Sequence, residues 1–440
     1  MLPVSGRRSI DERGLEDMLR EVVDALAAIE RPPCSPGERQ AAEWLAARLR
    51  RIAGVHVELE DEPSWGTFPP TATGLGLAGM IGAALVLRGR RWAGALLAAV
   101  TFAGIVDEAQ NGPRILRRIV RRRRTTVNVV ARVGEQQGGD TDDGRRERGA
   151  RGIDTGGWRI DASEQRIDTL VVLAHHDAPQ TGLVFDQTLQ RRLYERVPRL
   201  FDRIKSPLPQ WWIGLAGPLC TIAAVVRRGR GAARAGVAIG ALGTAIVADV
   251  WRSQTVAGAN DNLSGVAALV ALAEMFSGDS APGLRVLLVS CGAEETLQDG
   301  VRAFVARHRH ELAPHSTCFV NLDTVGSPHL VMLEGEGPVW MEQYAGPWLR
   351  DLLEQCALGH EIPLRRGFRA RASTDSIIPS RARYPIATLV SVTDWLSPAN
   401  YHLPSDVPAN LDYRTVAHAT RLVRELARAL ADAPLGYAGA

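Results

Sequence analysis

The chain has 440 residues, 52 Lys and Arg against 49 Asp and Glu, a formal net charge of +3 and 45% hydrophobic residues. A balance so close to neutral gives no electrostatic footprint for a nucleic-acid partner. The length allows one large domain or two small ones.

The first residues, MLPVSGRRSIDERGLEDML, are polar and acidic, and no apolar run begins for about seventy residues, so no signal peptide is expected. Within RPPCSPGERQAAEWLAARLRRIAGVHVELEDE, a Ser-Pro-Gly-Glu turn opens an amphipathic helix, and a strand with alternating Val, Val and Leu follows. Next come two nearly charge-free segments, 71–87 and 92–106, joined by Arg88-Gly89-Arg90-Arg91. A second such pair, 211–226 and 235–251, is joined by RRGRGAAR. Small residues such as Gly236 and Gly240, with Trp92, Trp211, Trp212 and Trp251 at the edges, suit helices in a bilayer. Each segment is at the lower limit of about 17–20 residues for a span. Asp249 lies near one end, and the alternative reading is a pair of helical hairpins buried in a soluble protein. The run 117–124, RRIVRRRR, reads as a binding strip for anionic lipid headgroups or as a solvated linker face. Residues 134–167, rich in Gly and mixed charge, read as a flexible loop after a strand at Val127–Val133.

Five short motifs then place His, Asp and Glu where apolar strands run out. LVVLAHHDA ends in His175 and Asp177, two residues apart on an extended backbone, so the carboxylate can orient the imidazole. His176 can exchange roles with His175, since strand alternation does not decide between them. In GANDNLSGVAALVALAEMF, Asp261 precedes a helix that Asn262 or Ser264 can cap, and taken singly Asp261 reads more readily as a cap itself. RVLLVSC is a buried-type strand ending at Glu294 and Glu295, where two adjacent acids are costly unless a cation faces them. CFVNLDTVG ends likewise in Asp323, and His402 follows Tyr401 in a turn-rich loop. Such mixed carboxylate and imidazole donors suit a hydrolytic zinc centre. The five cysteines, Cys34, Cys220, Cys291, Cys318 and Cys356, show no CxxC pair and read as reduced thiols.

In this order the motifs resemble the co-catalytic zinc aminopeptidases of metallopeptidase family 28, over roughly residues 15–60, 125–180 and 255–430. The resemblance implies two zinc ions bridged by Asp261, with His175 and Asp323 completing one and Glu295 and His402 the other. Glu294 would be the general base, Asp177 the partner of His175, and Tyr401 a hydrogen-bond donor to the tetrahedral intermediate. Two features depart from the family pattern. Asp261 lies more than eighty residues after His175, where about a dozen is usual, and Ser373-Thr374-Asp375-Ser376 stands where Ser-Asp-His is common.

The expected fold is α/β, a mixed twisted central sheet flanked by helices, of the zinc aminopeptidase type, with membrane helical hairpins inserted. Its expected divisions are residues 1–70, 107–206 and 253–440 for the peptidase domain, with hairpins at 71–106 and 207–252. The expected activity is that of a membrane-associated zinc metallopeptidase, an aminopeptidase first, acting on a peptide or amino-acid amide through metal-activated water. Alternatives on the same centre are a glutaminyl-cyclase-like transferase and a carboxypeptidase or dipeptidase. From another class stands a catalytically dead membrane scaffold or receptor. Arginines are more numerous on the catalytic side of the hairpins than at their tips, which places that side in the cytoplasm of a multi-pass membrane protein, in contact with lipid.

Overall fold

A computed structural model describes residues 12–133, 167–201, 203–206, 211–227, 229–278, 281 and 283–432. The loop expected at 134–167 lies, apart from Ile167, outside the described residues. The helices are α1 (Glu12–Ala27), α2 (Pro36–Arg50), α3 (Pro69–Leu87), α4 (Arg91–Ala109), α5 (Ile115–Val120), α6 (Thr188–Arg196), α7 (Pro198–Phe201), α8 (Trp212–Val226), α9 (Arg230–Arg252), α10 (Ser264–Gly278), α11 (Asp299–His308), α12 (Pro347–Gly359), α13 (Ile377–Arg381) and α14 (Tyr413–Asp432). The strands are β1 (Val55–Ser64), β2 (Arg124–Val133), β3 (Thr169–His175), β4 (Arg285–Cys291), β5 (Thr317–Leu322), β6 (His329–Glu336), β7 (Glu342–Gln343), β8 (Arg365–Ala370) and β9 (Ile386–Val392).

All nine strands join one mixed sheet in the order β1-β2-β4-β3-β5-β9-β6-β7, with β8 beside β6. Strands β4, β3, β5 and β9 run parallel at its centre, and their carboxyl ends therefore share one edge. Their side chains alternate between two cores, as period-two geometry requires. Leu170, Val172 and Ala174 of β3 face α1, α2, α10, α12 and α14, whereas Val171 and Leu173 face α11 and α13. Burial on both faces explains why these strands read as unbroken apolar runs. Ser35 caps α2 by accepting from the Glu38 N–H, with Pro36 in the first turn, as the Ser-Pro-Gly-Glu signature requires.

The four hydrophobic segments form the helices α3, α4, α8 and α9, which pack against one another as a bundle. Their backbones approach closely at glycines. A Cβ on Gly217 would lie 3.1 Å from the Gly240 nitrogen, and one on Gly76 would meet the Thr244 hydroxyl oxygen at 2.2 Å. Three of these helices, α3, α4 and α9, are long and apolar enough to cross a membrane. The fourth, α8, has 15 residues and contains Pro218, so the expectation of four comparable spans is reduced to three and a shorter helix. Trp92 and Leu96 on the outer surface are 82% and 68% exposed.

The basic run 117–124 is not a uniform strip. Arg117 is fully buried and ion-paired with Glu108, with its Nη1 donating to the Gly66 carbonyl at 3.2 Å. Arg114 is buried against Asp299 and donates to the Thr296 carbonyl at 3.2 Å. Both guanidiniums therefore tie the end of α4 to the loop after β4, and only the remaining arginines of the run are available to solvent or lipid. Arg117→Met leaves the Glu108 carboxylate buried and unpaired, a loss on the order of 3–5 kcal/mol. A marked fall in the unfolding temperature of the detergent-solubilised protein is expected, with none for the exposed Arg122→Met.

Candidate metal centre

Each motif residue arrives at the sheet's carboxyl edge by its own route. His175 is the last residue of β3, opposite Cys291 at the end of β4. Glu294 and Glu295 follow in a 3-10 turn, Asp323 comes directly after β5, and His402 sits in the loop beyond β9. Asp261 lies in the turn entering α10. There the Asn262 side chain accepts from the Gly265 N–H at 3.2 Å, so Asn262 is the cap, while Ser264 donates to the Asn260 carbonyl at 2.7 Å.

The five side chains meet. His175 Nε2 lies 3.2 Å from one Asp261 oxygen, and His402 Nε2 lies 3.1 Å from the other. Ligand atoms of His175, Asp261 and Asp323 fall within 4.8 Å of one another, and so do those of Asp261, Glu295 and His402. Asp261 belongs to both groups. A third overlapping group joins His175, Glu294 and Glu295. The choice between the two adjacent histidines is settled by direction: His176 turns away, with its Nδ1 2.9 Å from the Ser290 hydroxyl. Burial lowers the His176 pKa to about 4.

Asp177 acts on two elements at once. One oxygen is 3.5 Å from His175 Nδ1, and the two oxygens accept from the N–H groups of Glu294 and Glu295 at 3.0 Å each. Tyr401 stacks on the His402 ring with centroids 4.1 Å apart. Glu294 accepts from the Gln298 side chain, which also donates to the Ser373 carbonyl at 3.1 Å.

Several residues that hold this geometry carry no local sequence signal. Arg31 is completely buried and donates to the carbonyls of His176 and Gly258, at 2.8 and 2.9 Å, joining the His175 and Asp261 loops. Asp406 accepts from the N–H groups of Asn260 and Asp261 at 2.7 and 3.1 Å. Glu38 accepts from the Ala293 N–H at 2.8 Å and from Thr126 at 2.7 Å, holding the turn before Glu294. Asp375, from the segment that departs from the family pattern, is buried with neither oxygen hydrogen-bonded among the described residues.

The electrostatics follow from crowding. Burial pushes the Glu294 and Glu295 carboxyls well above the usual range, with Asp375 and Asp323 adding to the first and Asp261 to the second. Burial likewise raises Asp323 and Asp375 to about 7. For His175 burial favours the neutral ring, yet hydrogen bonds to Asp177 and Asp261 win and hold the imidazole well above its ordinary value. Carboxylates gathered this closely away from water require positive charge among them.

Residues 242–427 match the model of peptidase family M28. The match contains Asp261, Glu294, Glu295, Asp323 and His402; His175 and Asp177 lie before it and reach the site through β3. No curated protein matches the chain. Among solved structures, a leucine aminopeptidase precursor from Bacteroides thetaiotaomicron is 13% identical, with 96% of this chain and 98% of that one covered and a TM-score of 0.50. An aminopeptidase from Aneurinibacillus sp. strain AM-1 is 12% identical, with coverage of 94% and 93% and a TM-score of 0.50. A glutaminyl cyclase from Fimbriiglobus ruber is 14% identical, with coverage of 97% and 99% and a TM-score of 0.50. Identities this low speak to the fold alone. Residues 242–427 thus match peptidase family M28, and the fold of the described residues is the mixed, helix-flanked sheet of the zinc aminopeptidase-like neighbours.

Proposed function

We propose that the chain is a membrane-associated, zinc-dependent hydrolase of peptide or related amide bonds, with release of an amino-terminal residue as its first expected form. The observation that carries this reading is the pair of donor groups sharing Asp261, with a further carboxylate, Glu294, beside them. Mixed imidazole and carboxylate donors fit zinc, and the raised carboxyls fit a site whose missing charge is a cation. His175 and Asp323 would hold one ion, Glu295 and His402 the other, and Asp261 both. Zinc bound there would acidify a water and polarise the substrate carbonyl.

The chain's own groups do the rest. Glu294, steadied by Gln298, takes the proton of the attacking water and returns it to the leaving nitrogen. Asp177 fixes the His175 ring while holding the Glu294–Glu295 turn, so imidazole and base keep their spacing. Tyr401, stacked on His402, is the candidate donor to the carbonyl oxygen as charge develops on it. Two overlapping donor groups favour two ions over the single ion of a cyclase-type centre, and a complete donor set speaks against a dead scaffold.

Membrane association rests on the three long apolar helices and their exposed outer faces. With Arg114 and Arg117 set aside as structural, the exposed arginines of 118–124 and 191–203 still outnumber those at the hairpin tips. This supports a cytoplasmic catalytic side.

Glu294→Gln is expected to lower kcat by about 10²–10⁴-fold while metal analysis still finds two equivalents; near-normal turnover would remove Glu294 as the base. Metal removal has a signed consequence. Burial raises the carboxyls of Glu336 to about 8 and of Asp323 and Asp375 to about 7, so the folded metal-free protein binds more protons than the unfolded chain. The contribution of these three groups to its stability is therefore greatest at low pH and falls as pH rises from about 4 towards 8. Zinc requires the deprotonated ligands, so its stabilising effect should grow across the same window. Thermal unfolding of metal-free and zinc-loaded protein between these pH values checks both; a metal-free unfolding temperature that climbs with pH contradicts the assignment.

A further inference from the structure

A cavity joins the candidate metal centre to the inside of the hydrophobic bundle. Its volume is about 170 Å³. One wall carries Glu294, Glu295, Tyr401 and His402, and the other is made by Ala72, Gly79, Thr101, Gly217, Gly243 and Val247 of the four bundle helices. Along α9 alone the lining runs from Gly236 to Val250, about 21 Å at the helical rise. Helical geometry engages the backbone groups of this lining within the helices, except at the Gly214 carbonyl, to which Pro218 offers no N–H. A hydrocarbon chain loses nothing on entering such a space, whereas an extended peptide would leave its own backbone groups without partners. The wet end also holds Arg371, which has no ion pair among the described residues.

The surroundings place this mouth at a lipid surface. Val184 and Phe185 line the cavity beside Leu183, which is 80% exposed. Leu189 of α6 is 80% exposed, two residues before Arg191, and Ile119 of α5 is 75% exposed, beside Arg118. Short helices with apolar and basic faces of this kind lie in the headgroup region.

We propose that the bundle cavity is an acyl-chain subsite, and that the substrate is an amide joining a long hydrocarbon chain to an amino acid whose carboxylate meets Arg371. This rests on the hydrolase reading above and puts an acyl chain in the place of an amino-terminal residue. The carbonyl carbon–nitrogen bond breaks, the water oxygen bonds to the carbonyl carbon, and the water proton taken by Glu294 goes to the nitrogen. The products are a fatty acid and a free amino acid, with no other reactant needed. The chain enters from, and the fatty acid returns to, the hydrocarbon phase around the bundle.

The test uses the zinc-loaded full chain in detergent, with N-acylglycines from acetyl to dodecanoyl and, in parallel, free-amine dipeptides ending in large apolar residues. For chains that stay monomeric in water, kcat/KM should rise up to about fourfold per added methylene until the cavity is filled. A Cβ on Gly243 would meet the Ile213 carbonyl and the Gly214 backbone of α8 at 3.7–3.9 Å, ordinary contact that leaves no room for a larger side chain, so the bulk is added at Val247 instead. Val247→Trp should shift the preferred chain length downward, whereas Leu96→Phe on the outer face should not. Arg371→Leu should raise KM for the acylglycines at least tenfold and leave KM for the corresponding neutral acyl amides in place. A second measurement needs no turnover: an N-acylglycine carrying an alkyl diazirine should label α3 and α9 on their cavity-facing residues in metal-free protein, and excess palmitoylglycine should suppress that labelling. A flat chain-length series, or hydrolysis of the apolar dipeptides in preference to the acylglycines, overturns the proposal while leaving the hydrolase intact. No hydrolysis of any amide with zinc bound, together with cavity labelling, removes the hydrolase reading and leaves the subsite. Labelling only at Leu77, Ile81 and Leu96 overturns the subsite.

Discussion

Asp261 is the residue that the remainder of the site is built to hold. Its two oxygens face two imidazoles, and its backbone N–H is tied to Asp406. A carboxylate in that position is stable only with positive charge on both sides, so its burial pulls His175 and His402 inward and lowers its own pKa despite desolvation. The other acids follow from the same constraint. Glu294, Glu295, Asp323 and Asp375 lie close enough to oppose one another's ionisation: the two glutamates follow β4, Asp323 follows β5, and Asp375 comes from the segment between β8 and α13. A strand cannot shift along its neighbour by one residue without turning its whole apolar set to the wrong face. The alignment of His175 with Cys291 is therefore set by hydrophobic packing several residues away.

The apolar bundle is tied to this edge rather than merely attached to the domain. Arg114 and Arg117 reach from the end of α4 to the Thr296 carbonyl, two residues beyond Glu294. Asp249, at the end of α9, accepts from the Leu183 N–H at 2.7 Å, next to the residues that line the cavity. The same buried charges thus position the Glu294–Glu295 turn and the floor of the bundle. A substitution that loosens one is expected to be felt in the other, since both arginines are desolvated and have no aqueous alternative.

Much of the catalytic half was legible because each motif is local: a buried strand read from its unbroken apolar run, followed at once by an acid or a histidine. The cap at Asn262 and the turn at Ser35 were equally local. What could not be read is everything that depends on contact across the chain. Between His175 and His176 both sit at the end of one strand, and only the position of Ser290 on the neighbouring strand sends His176 away. Arg117 looked like one basic residue in a run of them; its partner Glu108 and the loop at Thr296 are brought to it by tertiary packing. Arg31, Glu38 and Asp406 hold the site through backbone groups and so leave no pattern of their own. The hydrophobic segment 211–226 read as a span like the others because composition does not show where Pro218 and the helix ends cut it short.

The long gap between His175 and Asp261 has a structural answer that reconciles it with the family spacing. The chain leaves the site after Gln180 and returns at Thr255, and these two residues form an antiparallel bridge. Hydrogen bonds on either side close it: Thr181 N–H to the Gln254 carbonyl at 3.0 Å, and Val256 N–H to the Pro179 carbonyl at 3.0 Å. Asp261 lies 86 positions after His175, and the segment 181–254 outside that bridge accounts for 74 of them. Twelve remain, which is the dozen usual in the family. To the metal centre the loop is of ordinary length, and the entropy of closing so long an excursion grows only with the logarithm of its size. Four helices can therefore be inserted between His175 and Asp261 without displacing either, and because the insertion point adjoins them, a cavity enclosed by α8 and α9 opens directly onto the candidate metal centre.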